Sequence, residues 1–187
     1  MNAKKGTKAD LYLRYPASSV AIYHSTTVLH FLLGAAGIAL GYGFSAWAGK
    51  TFGLLYLVLS VVEMYLIMPM VVCPNCTYHR TKDSLCISGL NLFSRKIAKA
   101  GHQKDFAKRA EGLFCQNNLY IASLVLPIAA MIPAIFINFS MVLLIVFWLL
   151  VALLLFRFFV IFPRIACLHC RAKHACPQAA VMGLQDK

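Results

Sequence analysis

Hydrophobic positions along this chain fall into four long blocks, separated by polar stretches of very unequal length. The blocks run from Ser19 to Phe44, Phe52 to Val72, Asn118 to Ile137 and Met141 to Phe162. Each holds about 20 or more mostly apolar residues, and at about 1.5 Å rise per residue such a helix crosses a hydrocarbon core about 30 Å thick. The pattern predicts an all-α fold, a four-helix transmembrane bundle. Only the fourth block, MVLLIVFWLLVALLLFRFFVIF, is apolar nearly all round. The first is rich in small residues, with Gly34, Gly37 and Gly41 close to one face. That stripe predicts packing against neighbouring helices rather than against lipid. Pro127 and Pro133 predict kinks in the third block, which membrane helices tolerate.

The polar stretches divide the rest. Residues 1–18 form a basic N-terminal segment, 73–117 a long loop and 163–187 a tail, with helices 1 and 2 within 19–72 and helices 3 and 4 within 118–162. Within the loop, Leu90, Phe93, Ile97 and Ala100 share one helical face, opposite Arg95, Lys96 and Lys99. A second stretch sets Phe106, Ala110, Leu113 and Phe114 against Lys104, Lys108 and Glu111. Short basic amphipathic helices of this kind lie in the headgroup layer, or pack as a cap over whatever the loop covers. The apolar run after MNAKKGTKADLYLRYP is too long for a signal-peptide core and lacks a cleavage site. It is expected to remain as a span.

Composition agrees with lipid as the main solvent. The 187 residues are 60% hydrophobic and only 13% charged, where a soluble domain carries about a quarter charged residues. Eighteen Lys and Arg against six acids give a net charge of +12. In a soluble chain that balance would suggest nucleic acid. In a membrane chain it reads as a topology signal and an attraction to anionic headgroups, so nucleic acid is not an expected partner. Lys4, Lys5, Lys8 and Arg14 precede the first span, eight Lys or Arg lie in the loop, and Arg164, Arg171, Lys173 and Lys187 follow the fourth span. The two remaining connections carry only Lys50. The positive-inside rule then places both termini and the loop in the cytoplasm, with the protein a multi-pass component of the cytoplasmic membrane.

All seven cysteines fall on that predicted side. Cys73, Cys76, Cys86 and Cys115 lie in the loop, and Cys167, Cys170 and Cys176 in the tail. Two CxxC hooks, Cys73–Cys76 and Cys167–Cys170, stand about ninety residues apart, each directly after a span. A CxxC turn presents two thiolates to one metal, and further ligands complete the shell. Thiols collected in a reducing compartment point to metal or redox chemistry rather than disulfides. The expected architecture is therefore a bundle carrying a cysteine-rich cytoplasmic cap with short amphipathic helices.

Three chemistries compete for these thiols. One is an iron–sulfur cluster, or two, with Cys73, Cys76 and Cys86 as one set, Cys167, Cys170 and Cys176 as the other, and Cys115 in reserve. The Cys176–Pro177 pair matches the end of a bacterial ferredoxin run, but the spacing C-x2-C-x5-C-P does not follow that run's pattern. The second is structural zinc, with His79, His169 or His174 completing the shell, and Arg80, Lys82, Arg171 and Lys173 beside the thiolates suit either metal. The third is thiol–disulfide or soft-metal handling. In outline alone, a four-span bundle with CxxC near a helix end resembles the quinone-linked disulfide-forming enzymes and the vitamin K epoxide reductases. Those enzymes act on the outer side, opposite to the orientation expected here.

Inside the spans, His30 and Glu63 are expected at similar depth, where an ionisable group is costly unless paired. They are candidates for a hydrogen-bonded pair serving as a proton relay or quinone contact. The plainer alternative is a neutral Glu63 bonded to Ser60 or Thr27. Arg157 is expected to snorkel to the interface. The function this predicts first is iron–sulfur electron transfer from a cytoplasmic partner to a membrane acceptor such as quinone. A non-catalytic anchor or assembly subunit with a zinc-stapled cap, bound to another protein subunit, is second.

Overall fold

The structure, a computed structural model, describes residues 10–43, 47–102, 104–106 and 116–185. The named helices are α1 (Ala17–Gly41), α2 (Trp47–Asn75), α3 (Thr77–Arg80), α4 (Leu90–Ile97), α5 (Gln116–Ile137), α6 (Met141–Ala166) and α7 (Pro177–Val181). Among the described residues there is no strand, only a parallel bridge between Arg14 and Leu85. Four helices, α1, α2, α5 and α6, are long and apolar enough to cross a membrane. α1 begins directly after Pro16, earlier than hydropathy suggested, and α2 starts at Trp47 because Lys50 interrupts the apolar pattern without interrupting the helix.

α1 is the centre of the bundle. It packs on α2, α5 and α6, and 44% of its apolar window is buried against 17–28% for the other three. The small residues explain this. A Cβ added at Gly34 would lie 2.8 Å from Tyr56 and 2.9 Å from Pro127, and one at Gly41 would lie 2.6 Å from Ala134. The expected glycine stripe therefore faces α5. On the α2 side, Gly53 approaches the α1 backbone so closely that an added Cβ would sit 2.6 Å from the carbonyl of Ala35. Elsewhere the bundle shows apolar side chains outward, such as Leu54, Leu55 and Leu59 on α2 and Leu149, Leu155 and Phe159 on α6. Lipid, not water, suits that surface.

α5 stays helical through Pro127 and Pro133. A proline cannot donate to the carbonyl four residues back, which here belongs to Ser123. Tyr56 of α2 supplies the missing donor, its hydroxyl reaching the Ser123 carbonyl at 2.9 Å. His30 of α1 donates from Nε2 to the next carbonyl, Leu124, at 2.8 Å. Neighbouring helices thus seal the opened ladder, as a membrane interior requires.

α4 lies with its polar side down. Asn91 and Ser94 are buried with Leu90, whereas Leu92, Phe93 and Ile97 are exposed. Phe93 and Ile97 of the expected apolar face are therefore turned away from the protein while Leu90 stays in the core, and the helix ends at Ile97 rather than continuing to Ala100. The reason is hydrogen bonding: Asn91 and Arg95 serve carbonyls of the turn before them, so the polar edge has partners inside. Most of the second amphipathic stretch, including Ala110, Leu113 and Phe114, lies outside the described residues.

Candidate functional site

Both hooks grow from helix ends widened by a proline. Pro69 stands four residues before Cys73, and Pro163 four residues before Cys167, so P-x3-C-x2-C occurs twice. In each case a helical turn opens to a five-residue reach: the Met68 N–H donates to the Glu63 carbonyl, and the Cys167 N–H to the Phe162 carbonyl at 2.7 Å. Such wide turns recur at functional positions in helices. Each hook then closes tightly, with Cys76 N–H on Cys73 O at 3.0 Å and Cys170 N–H on Cys167 O at 3.2 Å. The repeated proline was available in the sequence as a signal that the hooks are copies of one device.

Three distant segments meet around the hooks. The Tyr15 hydroxyl donates to the Ala166 carbonyl. Tyr12 N–H donates to His169 O at 3.0 Å, and the two rings stack at 4.4 Å between centroids. The Tyr78 hydroxyl donates to Tyr12 O at 2.7 Å and receives the Arg171 N–H at 3.2 Å. Tyr15 N–H reaches Leu85 O, and Leu85 N–H reaches Leu13 O. Arg95 completes the set from α4 by donating to His79 O at 2.9 Å, Ser84 Oγ at 2.7 Å, and the carbonyls of Tyr78 and Thr81. Its guanidinium occupies the carbonyl end of α3, where a cation also answers the helix dipole.

Six cysteines are described, all as free thiols and all partly buried. They interact electrostatically as one connected set. Cys73 senses Cys86 and Cys76, Cys76 senses Cys86, Cys176 and Cys170, and Cys170 senses Cys167 and Cys176. Loop and tail thiols therefore lie within electrostatic range of one another. Burial pushes the Cys76 thiol up to about 11. Burial, with Cys176 nearby, pushes Cys167 up to about 12, and Cys170 also lies above the ordinary thiol range. At neutral pH these groups are neutral, and a cation would have to displace their protons.

Two further groups surround the thiols. His79 is buried, and among the described residues neither ring nitrogen has a hydrogen-bond partner. Lys173 is only 3% exposed, with Nζ on the Leu168 carbonyl inside the tail hook at 3.4 Å. Soft donors, an orphaned imidazole and a buried ammonium form a chemical set suited to an anionic thiolate–metal centre. Among the described residues, however, no three His, Cys, Asp or Glu side chains converge into a ready metal-binding group. Cys115 lies outside the described residues. His169 and His174 are committed elsewhere or exposed: His169 Nδ1 pairs with Asp10 O at 2.9 Å, and His174 faces solvent.

Within the bundle, the expected His30–Glu63 hydrogen bond does not form. His30 spends Nε2 on Leu124, and its Nδ1 has no partner. The opened α5 ladder is the stronger claim on that donor. Glu63 instead sits half-buried at the wide turn of α2.

Arg157 does not snorkel. It is 0% exposed. It donates to Thr27 Oγ1 at 2.7 Å, Thr26 Oγ1 at 3.1 Å and the Tyr120 hydroxyl. Its guanidinium carbon lies 5.2, 5.9 and 5.5 Å from the ring centroids of Tyr23, Tyr120 and Phe162. Hydroxyls and ring faces hold the cation in place, so leaving for the interface would forfeit every one of these contacts. Reading one helix at a time missed this site; the adjacent Thr26–Thr27 pair on α1 and the single Arg of the fourth block were its only traces.

No protein-family model, curated protein or solved structure matches the chain.

Proposed function

We propose that this protein is a membrane electron-transfer subunit whose cysteines hold an iron–sulfur cluster at the cytoplasmic end of the bundle. It would link a cytoplasmic protein partner to a membrane acceptor such as a quinone. One observation supports the reading: Cys76 of the loop feels Cys176 of the tail, and Cys170 of the tail feels Cys76.

A cluster supplies one-electron redox chemistry, with thiolates as its attachment points. The chain's own residues supply the rest. Two widened helix ends present the hooks, Lys173 offsets thiolate charge, and the basic loop suits a partner or anionic lipid.

Structural zinc is the second reading, and the unpartnered ring of His79 favours it. Against it, Tyr12, Tyr15, Tyr78 and Arg95 already tie the three segments by direct hydrogen bonds, so a staple has little left to hold. Anaerobic purification in mild detergent separates the two. Brown protein with broad visible absorption, iron and acid-labile sulfide is expected. A colourless protein with stoichiometric zinc would replace this reading with the anchor, and a metal-free protein would remove both.

A further inference from the structure

A cavity of about 160 Å³ lies where the bundle meets its cysteine-bearing end. Its walls include Tyr23 of α1, Met68 of α2, Tyr120 of α5, Phe162 of α6, and Cys167 and Cys176 of the tail. An apolar cavity of about 150 Å³ takes up one benzene molecule. The space therefore suits a single six-membered ring. It is too small for a porphyrin.

One pole of this cavity is polar and incompletely satisfied. The Tyr120 oxygen accepts from Arg157 Nη2 and from the Tyr23 hydroxyl at 3.4 Å. Both lone pairs are then occupied, and among the described residues the Tyr120 proton meets no acceptor. Behind it stands Arg157, fully buried, with Nε unpartnered and only hydroxyls and aromatic faces around it. A buried cation in such surroundings favours an electron-rich oxygen nearby. A hydroxyl that receives a charged donor is itself a stronger donor.

We infer that this cavity binds the ring of a membrane quinone, with one carbonyl oxygen accepting the Tyr120 O–H and with Cys167 and Cys176 among its walls. An aromatic lining, room for one ring and a polarised hydroxyl match a flat ring bearing a carbonyl. They do not match a phosphate, which needs several donors. The site would be the acceptor end of the electron path, and that role alone rests on the electron-transfer reading. Binding stands on the cavity itself.

The test uses the whole protein in phosphatidylcholine nanodiscs, titrated with decyl-1,4-benzoquinone and with decylbenzene, which carries the same tail on a ring without carbonyls. Saturable quinone binding above the empty-nanodisc baseline is expected, with decylbenzene about tenfold weaker. Tyr120→Phe keeps the ring and removes the proton, so it should lower quinone affinity about tenfold and abolish the preference. Equal affinity for the two ligands, or a preference that survives Tyr120→Phe, overturns the inference. So does displacement of quinone by a small fraction of phosphatidylglycerol, which would mark a lipid headgroup site. Should Tyr120→Phe fail to fold, the ligand pair on the unaltered protein still decides. Metal content of the same preparation separates the two proposals. Carbonyl-dependent binding to metal-free protein keeps the quinone site and removes its electron-transfer role, whereas metal-loaded protein that binds no quinone removes the quinone site alone.

Discussion

Arg157 of α6 donates to Thr27 of α1 at 2.7 Å, and both side chains are completely buried. Thr27 keeps its own donor role by bonding back to Tyr23 O at 2.7 Å, so one hydroxyl links the guanidinium to the α1 backbone. Thr27→Val retains the shape and removes the acceptor, leaving part of a buried cation unsatisfied at a cost of about 1–3 kcal/mol. Thr26→Val should cost less, because that contact is longer and Thr26 is only half-buried. Unfolding midpoints in mixed denaturing detergent rank the two; a milder loss for Thr27→Val contradicts the assignment.

Gly53 meets the α1 backbone, which cannot swing aside as a side chain can. Gly53→Ala is therefore expected to destabilise the bundle by about 1–3 kcal/mol through overpacking. Ala152→Leu, at an exposed position on α6, should be close to neutral in the same assay. If the two variants unfold alike, the close α1–α2 contact is not what holds this pair.

Tyr15 gives a pH signature. Burial, reinforced by the nearby Cys170, Tyr78 and Cys167, holds its hydroxyl well above the ordinary tyrosine value. The unfolded chain releases that proton near pH ~10 while the folded chain retains it, so stability falls as pH rises. The contribution is complete below about pH 10 and is lost from there towards the raised folded value. Tyr15→Phe should be less stable at neutral pH, having lost its bond to Ala166, yet decline less steeply in alkali. Parallel decline in both proteins, followed by unfolding at a series of pH values, counts against a buried Tyr15.

The two hooks should behave as one site. Because Cys76 interacts with Cys170 and Cys176, Cys76→Ser and Cys170→Ser are each expected to lower bound iron to the same residual level. The double variant should then be no worse, the non-additivity of residues that share one centre. Iron and sulfide analysis of the three proteins checks it. Strictly additive losses would divide the cysteines into two independent sites.

The hydrophobic blocks and the glycine stripe were sufficient to establish four helices and a central α1. Lipid length and close backbone approach leave their marks locally, in runs and spacings that one segment carries by itself. The position of the two hooks was legible, since each directly follows a span. What the sequence could not show was which donors meet across helices. His30 appeared to be a partner for Glu63 until the carbonyls opened by Pro127 claimed it, and Arg157 appeared bound for the interface until Thr26, Thr27 and Tyr120 enclosed it. α4 likewise has an apolar stripe in its sequence, but Asn91 and Arg95 find their acceptors inside, leaving Leu90 in the core and turning Phe93 and Ile97 outward.

The chain's own pattern therefore determined that this is a multi-span helical protein whose thiols cluster after its second and fourth spans. Tertiary structure decided where the buried cation lies, which histidine is spent on packing, and that a cavity is lined by Tyr120 together with Cys167 and Cys176. Hydrophobic burial is summed along a segment and can be read from it. A hydrogen bond inside a membrane depends on two groups from different helices arriving at one point, and only the packed bundle settles that meeting.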